Sequence, residues 1–162
     1  MARQIVFTSK AAKPPSTYSQ AVKAAGLLFV SGTAPADPVT GAIVGSTVQE
    51  QTRQCLTNVQ AILEEAGSSL DKLVNATVVL AEEDDFAGMN EEWLRWFSTN
   101  PPARQGARLP ARIAGLTVSI AAIADAFGIE ACRFGCLRQE RCEMRLHRAR
   151  ADAGTAAAVR NA

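Results

Sequence analysis

Residues 47–81, TVQEQTRQCLTNVQAILEEAGSSLDKLVNATVVLA, carry two patterns of different period, and the fold is read from their junction. The first half opens on Thr47-Val48-Gln49-Glu50, the form in which a hydroxyl and a carboxylate each satisfy a free amide at a helix start. Val48, Cys55, Val59, Ile62, Leu63 and Ala66 then recur on one helical face and Gly67 closes the run. This predicts an amphipathic helix of about five turns. The second half, Leu73 to Ala81, is rich in Val and Thr, whose branched side chains suit a pleated surface, and predicts a strand.

The reading extends outward in both directions. Downstream, Asp84 or Asp85 is placed to cap a second helix with Phe86, Met89, Trp93, Trp96 and Phe97 turned inward as core. The acidic run Glu82 to Asp85 reads as a solvated turn that favours this helix start, not as a metal cluster. Pro101-Pro102 forbids continuation, and Ala103 to Leu109 and Leu116 to Ala124 follow as strands. Upstream, Gln4 to Phe7 and Leu27 to Ser31 are short apolar runs bounded by turn residues, with Asp37-Pro38-Val39-Thr40-Gly41 as a turn.

The order strands, helix, strand, helix, strands predicts an α+β fold, a single mixed sheet with two helices packed on one face. The opposite face is left bare. An apolar face of roughly several hundred Å² is expected to be buried against another copy of the chain.

Composition agrees with one globular domain: 48% of the 162 residues are apolar and 20% charged. A formal net charge of +1 gives no general attraction to nucleic acid or an anionic membrane. The charge is uneven, because residues 1–126 hold 10 Lys/Arg against 12 Asp/Glu, whereas 127–162 hold 7 Arg, no Lys and 4 acidic residues. The domain is therefore assigned to 1–126, and 127–162 to an Arg/Cys-rich C-terminal extension that lacks helical or strand period and is expected to be poorly ordered. Met1 to Thr17 has no apolar h-region, and the longest apolar stretch, Ile113 to Ile129, is short, broken by Asp125 and carries two glycines. The expectation is a cytoplasmic protein, not a membrane one, whose four cysteines are reduced thiols.

Several short strings carry the functional reading. Tyr18-Ser19-Gln20-Ala21-Val22, Val30-Ser31-Gly32, Asp37-Pro38 with Thr40-Gly41, Gln51-Thr52-Arg53-Gln54 and Asn58 are followed by Asp85-Phe86-Ala87 with Asn90, Pro102-Ala103-Arg104 and Leu109-Pro110. In this order, over residues 3–126, the chain resembles the RidA/YjgF family of reactive imine and enamine deaminases. The resemblance implies a chorismate-mutase-like fold, a homotrimer and small-molecule sites in the clefts between subunits. It also implies hydrolysis of 2-imino and enamine acids released by PLP enzymes to a 2-oxo acid and ammonia, with neither cofactor nor metal.

Carried over by position, Arg104 matches the arginine that grips the substrate carboxylate, for which a planar, permanently charged fork is well suited. Tyr18 matches a tyrosine lining the pocket, Gly32 a backbone position close to the ligand, and Asn90 an asparagine near the site, though on a helix it could equally be structural. The chain departs from the pattern where the family's active members carry an Ile-Glu-Ile-Glu-Ala strand. Here the residues are Val118-Ser119-Ile120-Ala121-Ala122, and Ser119 stands fifteen residues after Arg104 in the place of the glutamate that positions the attacking water. Gly106 stands where many members have a cysteine.

Serine can hydrogen-bond water but has no base nearby to take a proton, so the deaminase expected from Arg104, Tyr18 and Ser119 is a weakened one. The alternative is a non-catalytic binder of small carboxylic metabolites such as 2-oxo acids. A ribonuclease or translation inhibitor, described for some relatives, ranks lower, because metal-free RNA cleavage wants an acid and a base and the sole histidine, His147, lies outside the domain. Cys132, Cys136, Cys142 and His147 fit no standard zinc spacing, and no nucleophile elbow surrounds Ser19 or Ser31.

Overall fold

The computed structural model describes residues 3–109 and 113–126. The C-terminal segment 127–162, with Cys132, Cys136, Cys142, His147 and the arginine cluster, lies outside the described residues, as does Pro110.

The capping-box helix is α1, Val48–Glu65. The Glu50 amide donates to Thr47 Oγ1 at 3.3 Å, while the Thr47 and Ser46 amides donate to Glu50 Oε2 at 3.2 and 2.8 Å. Cys55, Leu56, Val59, Ile62 and Leu63 are fully buried along its inner stripe. At roughly 1.5–3 kcal/mol for a fully buried aliphatic side chain, this burial, more than local propensity, holds the helix in place.

The second helix, α2, spans Asp85–Trp96. Met89, Trp93 and the following Phe97 are buried as expected, and Trp96 is partly so. Two details differ. Asp84 precedes α2 with φ −63° and ψ −20° and its side chain makes no capping bond, because capping needs an extended backbone at that position. Phe86, expected inward, is 48% exposed, since the first turn of α2 lies over the edge strand of the sheet, which no further strand covers among the described residues.

The sheet has six strands: β1 Gln4–Val6, β2 Ala21–Ala24, β3 Leu27–Thr33, β4 Leu73–Leu80, β5 Ala103–Arg108 and β6 Val118–Asp125. Their order is β1-β2-β3-β6-β4-β5, with only β4 and β5 parallel. Parallel neighbours need a crossover, and α2 supplies it. Strand β2 is an addition to the expected elements. It forms a hairpin with β3 through Ala25-Gly26, where φ values of 52° and 82° give the turn the twist that a two-residue hairpin needs.

Along β6, Val118, Ile120, Ala122 and Ala124 are buried toward the helices, while Ser119, Ala121 and Ile123 alternate onto the opposite face. That face also carries Phe29, paired across from Ile123, and Val79, paired across from Ser119, and none of these is fully buried. The described residues contain no helix long and apolar enough to cross a membrane.

The two helices are drawn together at Gly88, where a Cβ would lie 2.6 Å from Val48 Cγ1. Beside this contact, Glu92 is buried and accepts from Arg53 Nε and Nη2 at 2.9 and 2.8 Å, Arg95 Nη1 at 3.2 Å and Trp96 Nε1 at 3.1 Å. Arg53, above all, holds the Glu92 carboxyl below its usual range. A depressed carboxylate contributes stability that is complete above its unfolded pKa and is lost as pH falls through the lower folded value. Glu92→Gln is therefore expected to cost about 1–3 kcal/mol at neutral pH, the half-exposed Arg53 screening part of the pair, and to flatten the acid limb of stability below about pH 4. Urea unfolding across pH checks both; an unchanged acid limb would remove Glu92 as its source.

Candidate functional site

Arg104 lies on β5 opposite Ala76 of β4. Ala76 is buried toward the helices, so Arg104 also projects to the helix side and its guanidinium lies along α2. Phe86, Met89, Asn90 and Trp93, three and four residues apart, make the stripe that receives it. Nη2 donates to Asn90 Oδ1 at 2.5 Å, and Nη1 approaches Met89 Sδ at 3.6 Å. The guanidinium carbon stands 4.9 Å from the Trp93 ring centroid and 5.9 Å from that of Phe86.

Arg53, Arg95 and Arg108 each pair with a glutamate, whereas no carboxylate pairs with Arg104 among the described residues. Burial lowers its pKa from the usual value, yet a guanidinium remains charged at any ordinary pH. A partly desolvated cation held by π faces and one amide oxygen, without a counter-charge, gains most from an incoming anion.

A second group lies on the other side of the sheet. The irregular register between Val30 and Thr33 turns Gly32 toward β6, where a Cβ on it would sit 3.3 Å from Ser119 Oγ. Tyr18, half exposed, and Gly32 both line a cavity of about 220 Å³, walled also by Pro14, Ser31 and Ile43. The Tyr18 loop is tied down beside β3, since Ser31 Oγ donates to Ser19 O at 2.8 Å and the Ser31 amide to Gln20 O at 3.0 Å.

Thus Tyr18, Gly32 and Ser119 gather on one side, and Arg104 with Asn90 on the other. Ser119 and Ala107 both pair with Val79, which puts Ser119 two strands across and three residues along from Arg104, roughly 14 Å between backbones at ordinary strand spacings. One small acid cannot touch both within a single chain. A larger hollow of about 670 Å³, lined by Gln51, Glu82, Asp85, Arg108 and Thr117, holds none of the expected residues, and its arginine is already bonded to Glu82 at 3.1 Å.

The sequence matches the Endoribonuclease L-PSP family over residues 8–126, most of the chain. The chain belongs to the RidA/YjgF family. A RutC family protein of Pyrococcus abyssi is 47% identical over 68% of this chain and 89% of its own length. The 2-iminobutanoate/2-iminopropanoate deaminase of Capra hircus is 37% identical over 76% of this chain and 90% of its own. The crystal structure of E. coli TdcF with bound serine superposes with a TM-score of 0.70 at 32% identity, covering 75% of this chain and 98% of that one.

Within this RidA/YjgF fold, several polar residues of the recognisable strings hold loops in place. Gln20 Nε2 donates to the carbonyls of Thr8, Ala11 and Ala12, and its Oε1 accepts from the Thr8 amide. Gln51 bridges Gly45 and Gly115 to Thr117, and Asn58 donates to the carbonyls of Ala34 and Ala36. Buried polar groups must be partnered, and these side chains supply the partners. Conversely, Trp93, Met89 and Phe86, read from sequence as core alone, are also the bed of the Arg104 guanidinium. The signal available was their spacing of three and four residues around Asn90, without any indication of which strand would lie beneath.

Proposed function

We propose that the protein hydrolyses 2-imino and enamine acids to 2-oxo acids and ammonia, as a homotrimer, with activity reduced by Ser119. The observation that carries this reading is the Arg104 guanidinium, desolvated, oriented by Asn90 and Trp93, and without a carboxylate partner among the described residues. It is a receptor for a carboxylate. Relatives bearing the deaminase name, and one solved with serine bound, agree with a ligand of that class.

In this mechanism Arg104 holds the carboxylate and Asn90 fixes its side chain, leaving the imine carbon open to water. Water adds to that carbon, the C–N bond breaks, ammonia departs and the 2-oxo acid remains. Ser119 and the Gly32 backbone orient the water or the imine nitrogen, and Tyr18 walls the pocket. Because Arg104 and Ser119 lie on opposite sides of one sheet, the working site joins the Arg104 side of one subunit to the Ser119 side of its neighbour. The bare apolar face around Phe29 and Ile123 supports such an assembly. Sedimentation at micromolar concentration should return a species of three chains, and a monodisperse monomer would remove this arrangement.

The second reading, a binder of carboxylic metabolites without turnover, is favoured by the serine at the water-positioning place. Hydrolysis of freshly generated 2-iminopropanoate separates the two. Acceleration above the spontaneous rate supports the deaminase, whereas 2-oxo acid binding without acceleration moves the conclusion to the binder.

A further inference from the structure

Arg104, Gly106 and Arg108 share one face of β5, because side chains alternate along a strand. Position 106 is therefore the next step from the carboxylate receptor along the strand, on the side of α2. It carries no side chain. A Cβ placed there would meet only Phe86 Cε2 and Val78 O, each at 3.8 Å, which is ordinary contact distance. The space beside Arg104 is thus open, not filled by a neighbour that makes glycine obligatory.

The wall of that space is aromatic. Phe86 is 48% exposed, its ring centroid 5.9 Å from the Arg104 guanidinium carbon and its Cε2 the atom that approaches position 106. A half-exposed phenyl ring beside a guanidinium that has no carboxylate partner among the described residues, and a missing side chain, make an amphipathic slot, cationic at one end and apolar along its length. A ligand whose carboxylate sits on Arg104 can run its side chain over Gly106 against Phe86, within about two residue steps of strand, roughly 7 Å.

We infer that this site selects carboxylic acids with an aromatic or long apolar side chain, and that Gly106 admits that side chain by leaving Phe86 uncovered on the side of β5. The inference rests on the carboxylate-receptor reading of Arg104 and adds the class of substrate to it. A side chain at 106, even a small one, would occupy the slot and restrict the site to short acids.

The test measures binding of two non-reacting 2-oxo acids, 2-oxopropanoate and 3-phenyl-2-oxopropanoate, to the assembled wild type, Gly106→Val and Arg104→Ala by calorimetry. The wild type is expected to prefer the phenyl compound by about tenfold or more, the scale that one or two apolar contacts supply. In Gly106→Val the ratio of the two affinities should fall by about tenfold, since valine fits without displacing backbone yet covers the ring. Phe86→Ala should lower the same ratio by a separate route. A ratio near one in the wild type, or one unchanged by both substitutions, overturns the selectivity while leaving the carboxylate site standing, provided Arg104→Ala abolishes binding of both acids. Failure of both acids to bind the wild type overturns the receptor and the selectivity together, and binding of 2-oxopropanoate without the phenyl compound overturns the selectivity alone.

Discussion

Arg104→Ala is expected to reduce kcat/KM for 2-iminopropanoate by about 10²–10⁴. Two charge-assisted hydrogen bonds to a carboxylate are at stake, each typically about 1.5–3 kcal/mol, and each 1.36 kcal/mol is a factor of about ten in rate. The guanidinium is already oriented by Asn90 and lies 4.9 Å from the Trp93 centroid, so little freedom is lost when the ligand arrives. Arg104→Lys keeps the charge without the planar fork and should fall between the two. Because Arg104 makes no ion pair among the described residues, unlike Arg53 on Glu92, its removal should leave the fold of the chain intact, and sedimentation of the variant checks that the assembly is unchanged. Equal rates for wild type and Arg104→Ala would exclude Arg104 as the carboxylate receptor.

The second large effect runs in the opposite direction: Ser119→Glu should raise turnover by on the order of 10², the lower end of what a positioned general base contributes. The local structure can take the longer side chain. Ser119 alternates away from the buried Val118 and Ile120, and its hydroxyl faces Gly32, which has no side chain to compete for the space. A carboxylate at this point would hold the attacking water and accept its proton, whereas the serine hydroxyl can only orient it. The lower end is expected because the surroundings have not been matched to a buried charge. Stopped-flow decay of the imine on variant and wild type in the same oligomeric state reads the gain directly. No gain, with assembly and Arg104 binding preserved, would show that water positioning is not what limits this protein.

Local patterns made much of the architecture legible. The Thr47–Glu50 box announces a helix because both reciprocal bonds are made by residues three apart in sequence, so no distant partner is needed. Leu73–Leu80 is legible because branched residues suit a half-buried strand wherever it packs. Strand β2, Ala21–Ala24, was not, since its short Ala-Val-Lys-Ala run has no apolar period of its own and becomes a strand only by pairing with β3 on one side and β1 on the other. The exposure of Phe86 is hidden in the sequence for the same reason. Helical spacing gives its face but not the fact that this turn overhangs an open edge.

By itself, then, the sequence determined the helices, most of the strands, the kinship, and the identities of Arg104, Tyr18, Gly32, Asn90 and Ser119 as the residues to watch. The elements follow from patterns carried by neighbours along the chain, and the five residues from the resemblance of the strings around them to the family. Only the tertiary structure decided that Gln20, Gln51 and Asn58 tie loops, that α2 makes the bed of Arg104, and that Arg104 and Ser119 stand on opposite sides of one sheet. Strand order and the alternation of faces fix those relations, through contacts between residues tens of positions apart.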